Sequence, residues 1–262
     1  MSAQKYQGLD VVTVERRGAV LWVRMPKEDS PNFDLARIFR EANSDPDVRV
    51  VVLTGASEKV FCVGGGGSRV FETPEAREAY WFAGMQGARD VIIAALDCEK
   101  PIVGRINGHA VGKGCSLALC CDITVMAQEA KIGDTHVKIG LAAGDGGSLL
   151  WPYLVGPLLS RRYLLTGDLL TGSEAERIGL VTEAVPRAEI DARTDYWAGR
   201  LMEGSPSAVT MTKRALGAWV RKQAAEHLDM SLGLETLTFM TTDHREGAAA
   251  LVEGRAPRFT GR

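Results

Sequence analysis

Three side chains capable of chemistry lie close together in one stretch of the chain, Gly112–Gly147. They are Ser116, His136 and Asp145, and most of their neighbours are apolar or glycine. A serine hydroxyl can attack a carbonyl carbon, and a histidine exchanges a proton near neutral pH. A carboxylate can act as an acid or a base where burial shifts its pKa. The stretch therefore indicates proton transfer or nucleophilic attack.

Alternating strands and helices must position these residues. Val48–Gly55 is a continuous apolar run that ends in glycine, which is typical of a strand buried on both faces, and Pro101–Gly108 predicts another buried strand. A long helix is predicted between them, over residues 75–95, and the segment "CSLALCC" predicts another helix before the strand "DITVMA". Val11–Met25 indicates a hairpin turning at Arg17-Gly18, and "FDLARIFREAN" a short helix. This order predicts an α/β fold built from parallel βαβ units.

The chain becomes almost entirely helical after about Ser160. Ser173 and Glu176 have the spacing of a capping box at a helix start. No low-complexity linker or internal repeat interrupts the chain. We predict a core over residues 1–195 and a helical C-terminal region over residues 196–262.

Composition excludes several classes of function. The chain has 262 residues, 45% hydrophobic and 24% charged, which is the balance of a globular protein. The net charge is −2 and no long basic cluster occurs, so we expect no nucleic-acid or anionic-membrane partner. The five cysteines include no CxxC pair, which favours reduced thiols. The polar N-terminus and the lack of a long apolar run predict a soluble, cytoplasmic protein.

Two glycine-rich loops follow predicted strands. They are "FCVGGGGS", residues Phe61–Ser68, and "GHAVGKGCS", residues Gly108–Ser116. Glycines let backbone N–H groups approach a ligand closely, and a helix N-terminus favours negative charge. Two such loops at one sheet edge can form an oxyanion hole, although tight turns would need the same residues. The dinucleotide-binding pattern GxGxxG is absent after both strands.

Long ordered motifs across nearly the whole chain resemble the crotonase family, the enoyl-CoA hydratases and isomerases. The segments that carry the resemblance are "RVVVLTGASEKVFCVGG", "KPIVGRINGHAVGKGCSLALCCDITVMAQEAKIG", "YLLTGDLLTGSEAERIGLVTEAVP", "SPSAVTMTKRAL" and "EGAAALVEGRAPRFTGR". The resemblance implies a spiral of ββα units with a helical region used for trimerisation. We therefore expect a homotrimer or a dimer of trimers.

The resemblance also implies an acyl-CoA thioester as the ligand, with no metal and no cofactor besides the CoA of the substrate. Its carbonyl oxygen would accept hydrogen bonds from the backbone N–H groups of Val63 and Lys113, which would stabilise an enolate. The implied substrate-binding residues are Val63, Gly64, Gly65, Gly66 and Lys113.

This sequence departs from the family pattern at the catalytic positions. Family hydratases use two glutamates that flank a water, and the matching positions here are Ser116 and His136. Lys113 replaces the middle glycine of the second loop, and Gly66 replaces an aspartate common in the first. The "N-A-L" segment that helps hold the nucleotide part of CoA has no counterpart. These departures therefore concern the reaction, through the two replaced glutamates, and CoA binding, through the missing segment.

Three residues remain as catalytic candidates. His136 is expected to be a base with a pKa near 6–7 if unperturbed. Asp145 stands where some relatives, dihydroxynaphthoyl-CoA synthase among them, carry a catalytic aspartate, although Asp-Gly is also a common turn. Ser116 can hold a water, or act as a nucleophile activated by His136.

Three functions remain open from these residues. The first is an enzyme that forms an enolate for isomerisation, C–C bond chemistry or weak hydration. The second is a thioester hydrolase that uses Ser116 and His136. The third is a non-catalytic protein that binds acyl-CoA.

Overall fold

The computed structural model describes residues 5–26, 31–55, 57–64 and 73–262. The strands are β1 Thr13–Arg17, β2 Val20–Arg24, β3 Val50–Thr54, β4 Val60–Cys62, β5 Ile102–Ile106, β6 His109–Val111, β7 Ile123–Ala127, β8 Lys131–Gly133, β9 Leu170–Thr171 and β10 Glu183–Val185. The helices are α1 Asn32–Asn43, α2 Pro74–Leu96, α3 Lys113–Leu119, α4 Gly147–Thr166, α5 Gly172–Arg177, α6 Ile190–Glu203, α7 Pro206–Phe239 and α8 Thr242–Glu253. Short 3₁₀ helices span His136–Ile139 and Arg187–Glu189.

The larger sheet has the strand order β1-β2-β3-β5-β7-β10. β1 and β2 pair antiparallel, which confirms the predicted hairpin, and every other pair in this sheet is parallel. All residues of β3 and β5 are buried, as predicted for both strands, and in β5 these include Arg105. The predicted α/β class is therefore confirmed.

A smaller sheet, β4-β6-β8-β9, positions the loops of interest. Each of β4, β6 and β8 follows a long strand of the first sheet, which gives the repeating unit of a spiral. β4 and β6 are parallel neighbours, so the loops after them leave from the same sheet edge. β8 is parallel to β6, and the segment that contains His136 follows it. The short strands therefore direct three chain segments to one place.

The C-terminal region is helical, as predicted. The buried face of the 34-residue helix α7 contacts α2 and α4. The predicted boundary between residues 195 and 196 falls within α6 and remains a prediction. The predicted capping box is wrong by two residues: the cap of α5 is Thr171, and its partner is Glu174. Thr171 and Ser173 can both cap a helix, and the strand that ends at Thr171 selects the first.

No helix in the described part of the chain is both long enough and apolar enough to cross a bilayer.

Candidate active site

The structure brings Ser116, His136 and Asp145 together in the interior. Ser116 lies in α3, His136 begins the first 3₁₀ helix, and Asp145 lies just before α4. All three side chains are buried. An aspartate that served only as a turn residue would be exposed, so burial of Asp145 counts against that interpretation. The site is formed by segments that follow β6, β8 and the first 3₁₀ helix.

Asp145 lies between Ser116 and His136. Ser116 Oγ donates to Asp145 Oδ1 at 3.4 Å. The other carboxylate oxygen, Asp145 Oδ2, lies 3.8 Å from His136 Nε2. Within the described ranges no hydrogen bond joins Ser116 to His136. The contact between nucleophile and base that a Ser-His-Asp triad requires is therefore missing from this arrangement.

Asp134 is a further residue of this site, and it is not among the catalytic candidates predicted from the sequence. Its Oδ1 lies 2.6 Å from His136 Nδ1 and also accepts a hydrogen bond from the His136 backbone N–H at 3.1 Å. Burial alone lowers the pKa of His136, but the negative charges of Asp134 and Asp145 outweigh it and raise the pKa well above its ordinary value. Burial raises the pKa of Asp134, and the His136 charge reverses this and lowers it. The pair is therefore charged at neutral pH, and His136 is better suited to donate a proton than to accept one.

Glu235 enters the site from α7, about ninety residues further along the chain. It is buried, and its Oε1 lies 3.8 Å from His136 Nε2. Burial, with the nearby charge of Asp145, raises its pKa to about 8, while His136 and Lys113 act in the opposite direction. Glu235 is therefore mostly protonated at neutral pH.

A sequence signal for Glu235 exists in the spacing of α7. The buried residues of that helix recur at intervals of three or four, and Glu235 occupies a position on the same face. A glutamate on the buried face of an amphipathic helix is uncommon unless it has a partner. The pattern marks Glu235 as unusual, although it does not reveal what Glu235 faces.

The side chain of Lys113 contributes positive charge to the site. Lys113 is the first residue of α3, and its ammonium group acts electrostatically on Asp145 and Glu235. Burial lowers the pKa of Lys113, and these two carboxyl groups partly offset that effect. Lys113 therefore adds a side-chain charge at the same position that supplies an expected oxyanion N–H donor.

The two glycine-rich loops touch each other beside these groups. A Cβ atom on Gly114 would lie 1.8 Å from the carbonyl oxygen of Cys62, so only glycine permits this approach. Val63 follows Cys62, and Lys113 precedes Gly114, so the two expected oxyanion donors lie on segments in direct contact. Among the described residues, neither N–H donates to another group. Gly64 adopts a positive φ of 70°, whereas the expected substrate-binding residues Gly65 and Gly66 lie outside the described residues.

The glycines of the segment "AGDGG", residues 143–147, let the polar groups of the site approach each other. A Cβ on Gly147 would lie 2.3 Å from Asp134 Oδ2, and one on Gly146 would lie 3.0 Å from Ser116 Oγ. Gly144 packs equally closely on α7, where Ser231 Oγ donates to the Gly144 carbonyl at 2.7 Å. The segment "AGDGG" therefore holds Asp145 between α3 and α7.

Asp134, His136 and Asp145 also have donor atoms within 4.8 Å of one another. Two atoms that share a metal ion at bond lengths near 2.1 Å are separated by about 3 Å or more. The separation of 2.6 Å between Asp134 Oδ1 and His136 Nδ1 is a direct hydrogen bond instead. We therefore assign these residues no metal-ligand role.

Comparison with known proteins identifies the class that this fold and site define. The sequence profile of the enoyl-CoA hydratase/isomerase family matches residues 28–262. The chain belongs to this family, and the resemblance given by its motifs is confirmed. The family acts on CoA thioesters.

Individual relatives are similar over almost their full lengths. The (E)-benzylidenesuccinyl-CoA hydratase of Thauera aromatica is 34% identical, with 95% of this chain and 99% of that protein covered. The crotonyl-CoA hydratase of Syntrophomonas wolfei is 32% identical, with 95% and 96% covered. Among solved structures, an enoyl-CoA hydratase from Mycobacterium avium subsp. paratuberculosis has a TM-score of 0.86 at 26% identity, with 96% and 99% covered. The fold is therefore that of the crotonase family.

Proposed function

We propose that this chain catalyses enolate-forming proton transfer on an acyl-CoA thioester, with water addition, water removal or double-bond isomerisation as the outcome. The observation that carries the proposal is the position of His136 Nε2, 3.8 Å from each of two buried carboxyl groups. Those carboxyl groups belong to Asp145 and Glu235. Ionisable groups that lie so close in a buried site are typical of acid–base catalysis.

The oxyanion would form on the thioester oxygen. The backbone N–H groups of Val63 and Lys113 are the proposed donors, because they lie on the touching loops and have no other acceptor among the described residues. Preorganised donors stabilise charge as it develops, and removal of one commonly costs about 10²–10³-fold in rate. The Lys113 ammonium adds a positive charge near the same place.

His136 and Asp145 are the proposed proton-transfer groups. The charged His136 is suited to release a proton, and Asp145 is placed to receive one from a water or a substrate carbon. Ser116, hydrogen-bonded to Asp145, is proposed to orient that carboxylate or a water. These roles require no cofactor besides the CoA of the substrate.

The names of the relatives favour the addition or removal of water over C–C bond chemistry. Both relatives described above are named hydratases, and a third, at 27% identity, is named carnitinyl-CoA dehydratase. Each of these names states the activity of the relative that carries it. Because both usual glutamate positions differ here, we expect a substrate other than crotonyl-CoA to be preferred, and hydration of crotonyl-CoA to be weak.

The test is to incubate the purified protein with a panel of saturated, enoyl- and 3-hydroxyacyl-CoA esters and to identify the products by mass. The variant Gly114→Ala should abolish turnover, since its Cβ would force the two loops apart. Gly84→Ala is the matched control, because a Cβ there meets no atom within 4 Å. Release of free CoA with an acyl group on Ser116 would instead favour the hydrolase. Tight ester binding without turnover by the unmodified protein would favour the non-catalytic alternative.

Assembly into a homotrimer or a dimer of trimers remains part of the proposal. It is supported by large apolar side chains that α7 leaves exposed, which are Met211, Leu216, Trp219, Met230, Leu234 and Leu237. Exposed apolar surface of this kind commonly marks an interface. Sedimentation at micromolar concentration measures the state directly, and a monomer alone would contradict the proposal.

A further inference from the structure

Glu235 has features that are typical of a carboxyl group with a role in catalysis. It is buried beside Gly144, where a Cβ added to that glycine would come within 2.7 Å of Glu235 Cβ. Its Oε1 faces His136 Nε2, and its Oε2 has no hydrogen-bond partner among the described residues. An unsatisfied buried oxygen is costly, so its retention calls for an explanation.

The surroundings of Glu235 bring together two carboxyl groups and one imidazole. His136 Nε2 lies at the same distance, 3.8 Å, from Glu235 Oε1 and Asp145 Oδ2. The other ring nitrogen, Nδ1, is held by Asp134, which fixes the orientation of the ring. A single nitrogen therefore lies between the two carboxyl groups.

We propose that Glu235 and Asp145 form the acid–base pair of this enzyme, with His136 Nε2 as the proton relay between them. This rests on the proposed function and extends it. Neither carboxyl group occupies a position of the family's usual glutamates, which are Ser116 and His136 here. The pair is supplied instead by the "AGDGG" segment and by α7.

Water addition gives a balanced cycle in this arrangement. The water oxygen bonds to the β-carbon while one water proton moves to Asp145, and the double-bond electrons move to the thioester oxygen. As the enolate collapses, the α-carbon takes the proton of the Glu235 carboxyl group. His136 then gives its Nε2 proton to the Glu235 carboxylate and takes the proton from Asp145. One water has been added, and all three side chains are restored.

The charged groups that face Glu235 set its pH dependence. Asp145 and Asp134 raise its pKa, while His136 and Lys113 lower it, and with burial the outcome is about 8. Water addition should therefore slow as pH rises through about 8, because the donor is lost. Removal of an α-proton from a saturated thioester should accelerate over the same range, because the carboxylate is then the base.

The experiment measures exchange of the α-protons of butyryl-CoA with deuterated water, from about pH 6 to 9. Exchange needs enolate formation only, so it does not depend on knowing the natural acyl group. In Glu235→Gln we expect exchange to fall about 10²-fold or more and to lose its rise with pH. Binding of butyryl-CoA should change little. Glu235→Asp should recover part of the rate because it restores the acid.

Glu226→Gln is the matched control, because Glu226 is an exposed glutamate on the same helix. It should exchange at the unmodified rate. Exchange that survives in Glu235→Gln with its pH dependence unchanged would overturn the role of Glu235 and leave the proposed function standing. Unmodified protein that binds butyryl-CoA and exchanges no α-proton would overturn both. Circular dichroism of each variant establishes that it is folded.

Discussion

Asp134 and His136, two residues apart in the chain, contact each other through Oδ1 and Nδ1 at 2.6 Å. The contact raises the pKa of the buried imidazole and favours its positive charge, whereas burial lowers that pKa. The carboxylate also fixes the ring so that Nε2 points at Asp145 and Glu235. Asp134 is therefore a positioning residue that sets both the charge and the orientation of His136.

We expect Asp134→Asn to lower the pKa of His136, because burial then acts with less opposing charge. Nuclear magnetic resonance of ¹⁵N-labelled protein measures this directly, with His136→Gln identifying the signal among the four histidines. Asp168→Asn, at an exposed aspartate paired with Lys138, is the control. A His136 titration curve that Asp134→Asn leaves in place would contradict this account.

Ser116 and His136 should differ in what their removal costs. His136→Ala should slow turnover roughly 10²-fold or more, since it removes the group between the two carboxyl groups. Ser116→Ala should cost less than about tenfold, because a water can partly replace a hydroxyl that only holds Asp145. Steady-state kinetics on the best ester from the panel tests the order of the two effects. Loss of all turnover in Ser116→Ala, together with a serine adduct in the unmodified protein, would favour the hydrolase.

Lys113→Met should raise the pKa of Glu235 above its value of about 8, because it removes a positive charge that lowers that pKa. The backbone N–H of residue 113 remains, so the oxyanion donor is retained. The pH at which water addition slows should therefore move to a higher value, while an acyl-CoA ester still binds. Lys222→Met, at an exposed lysine of α7, is the control and should not change the pH at which water addition slows. If water addition slows at the same pH in Lys113→Met as in the unmodified protein, the Lys113 ammonium group does not act on Glu235.

The local parts of the fold are predictable from sequence, and the long-range parts of the site are not. β3 follows from its continuous apolar run and β5 from the apolar residues that begin Pro101–Gly108, and the approach of the two loops follows from parallel strand pairing. Ser116, His136 and Asp145 could be named because they fall within one stretch and match family positions. Their pKa values and contacts could not be predicted.

Asp134 and Glu235 were missed for different reasons. Asp134 precedes His136 by two residues, but only the turn before the 3₁₀ helix brings the carboxylate back onto the ring. Glu235 reaches the site because α7 packs against Gly144, which is a tertiary contact between distant segments. The spacing of α7 marks Glu235 as unusual, but no spacing reveals what Glu235 or Asp134 contacts, because each contact depends on where other elements pack.

Glu235→Gln should stabilise the protein, and more so as pH rises. The pKa of Glu235 is about 8 when folded, against an ordinary value of 4.5. Between these two values the folded state holds a proton that the unfolded state has released, so the free energy of unfolding falls as pH rises. Glutamine has no proton to lose. The two proteins should therefore be similar in stability below about pH 4.5 and should differ by at least about 1 kcal/mol at pH 8.

Urea unfolding at about pH 5, 6.5 and 8, at one protein concentration, measures this difference. Asp134, His136, Asp145 and Lys113 are present in both proteins, so the change with pH reports the loss of the Glu235 carboxyl group together with its interactions with these four groups. Glu226→Gln should differ from the unmodified protein by a small amount that does not vary with pH. If the difference in unfolding free energy between Glu235→Gln and the unmodified protein also does not vary with pH, Glu235 ionises near its ordinary pKa. A variant that gains stability and loses exchange together would instead show that the carboxyl group is kept for chemistry, because active-site groups are commonly retained at a cost in stability.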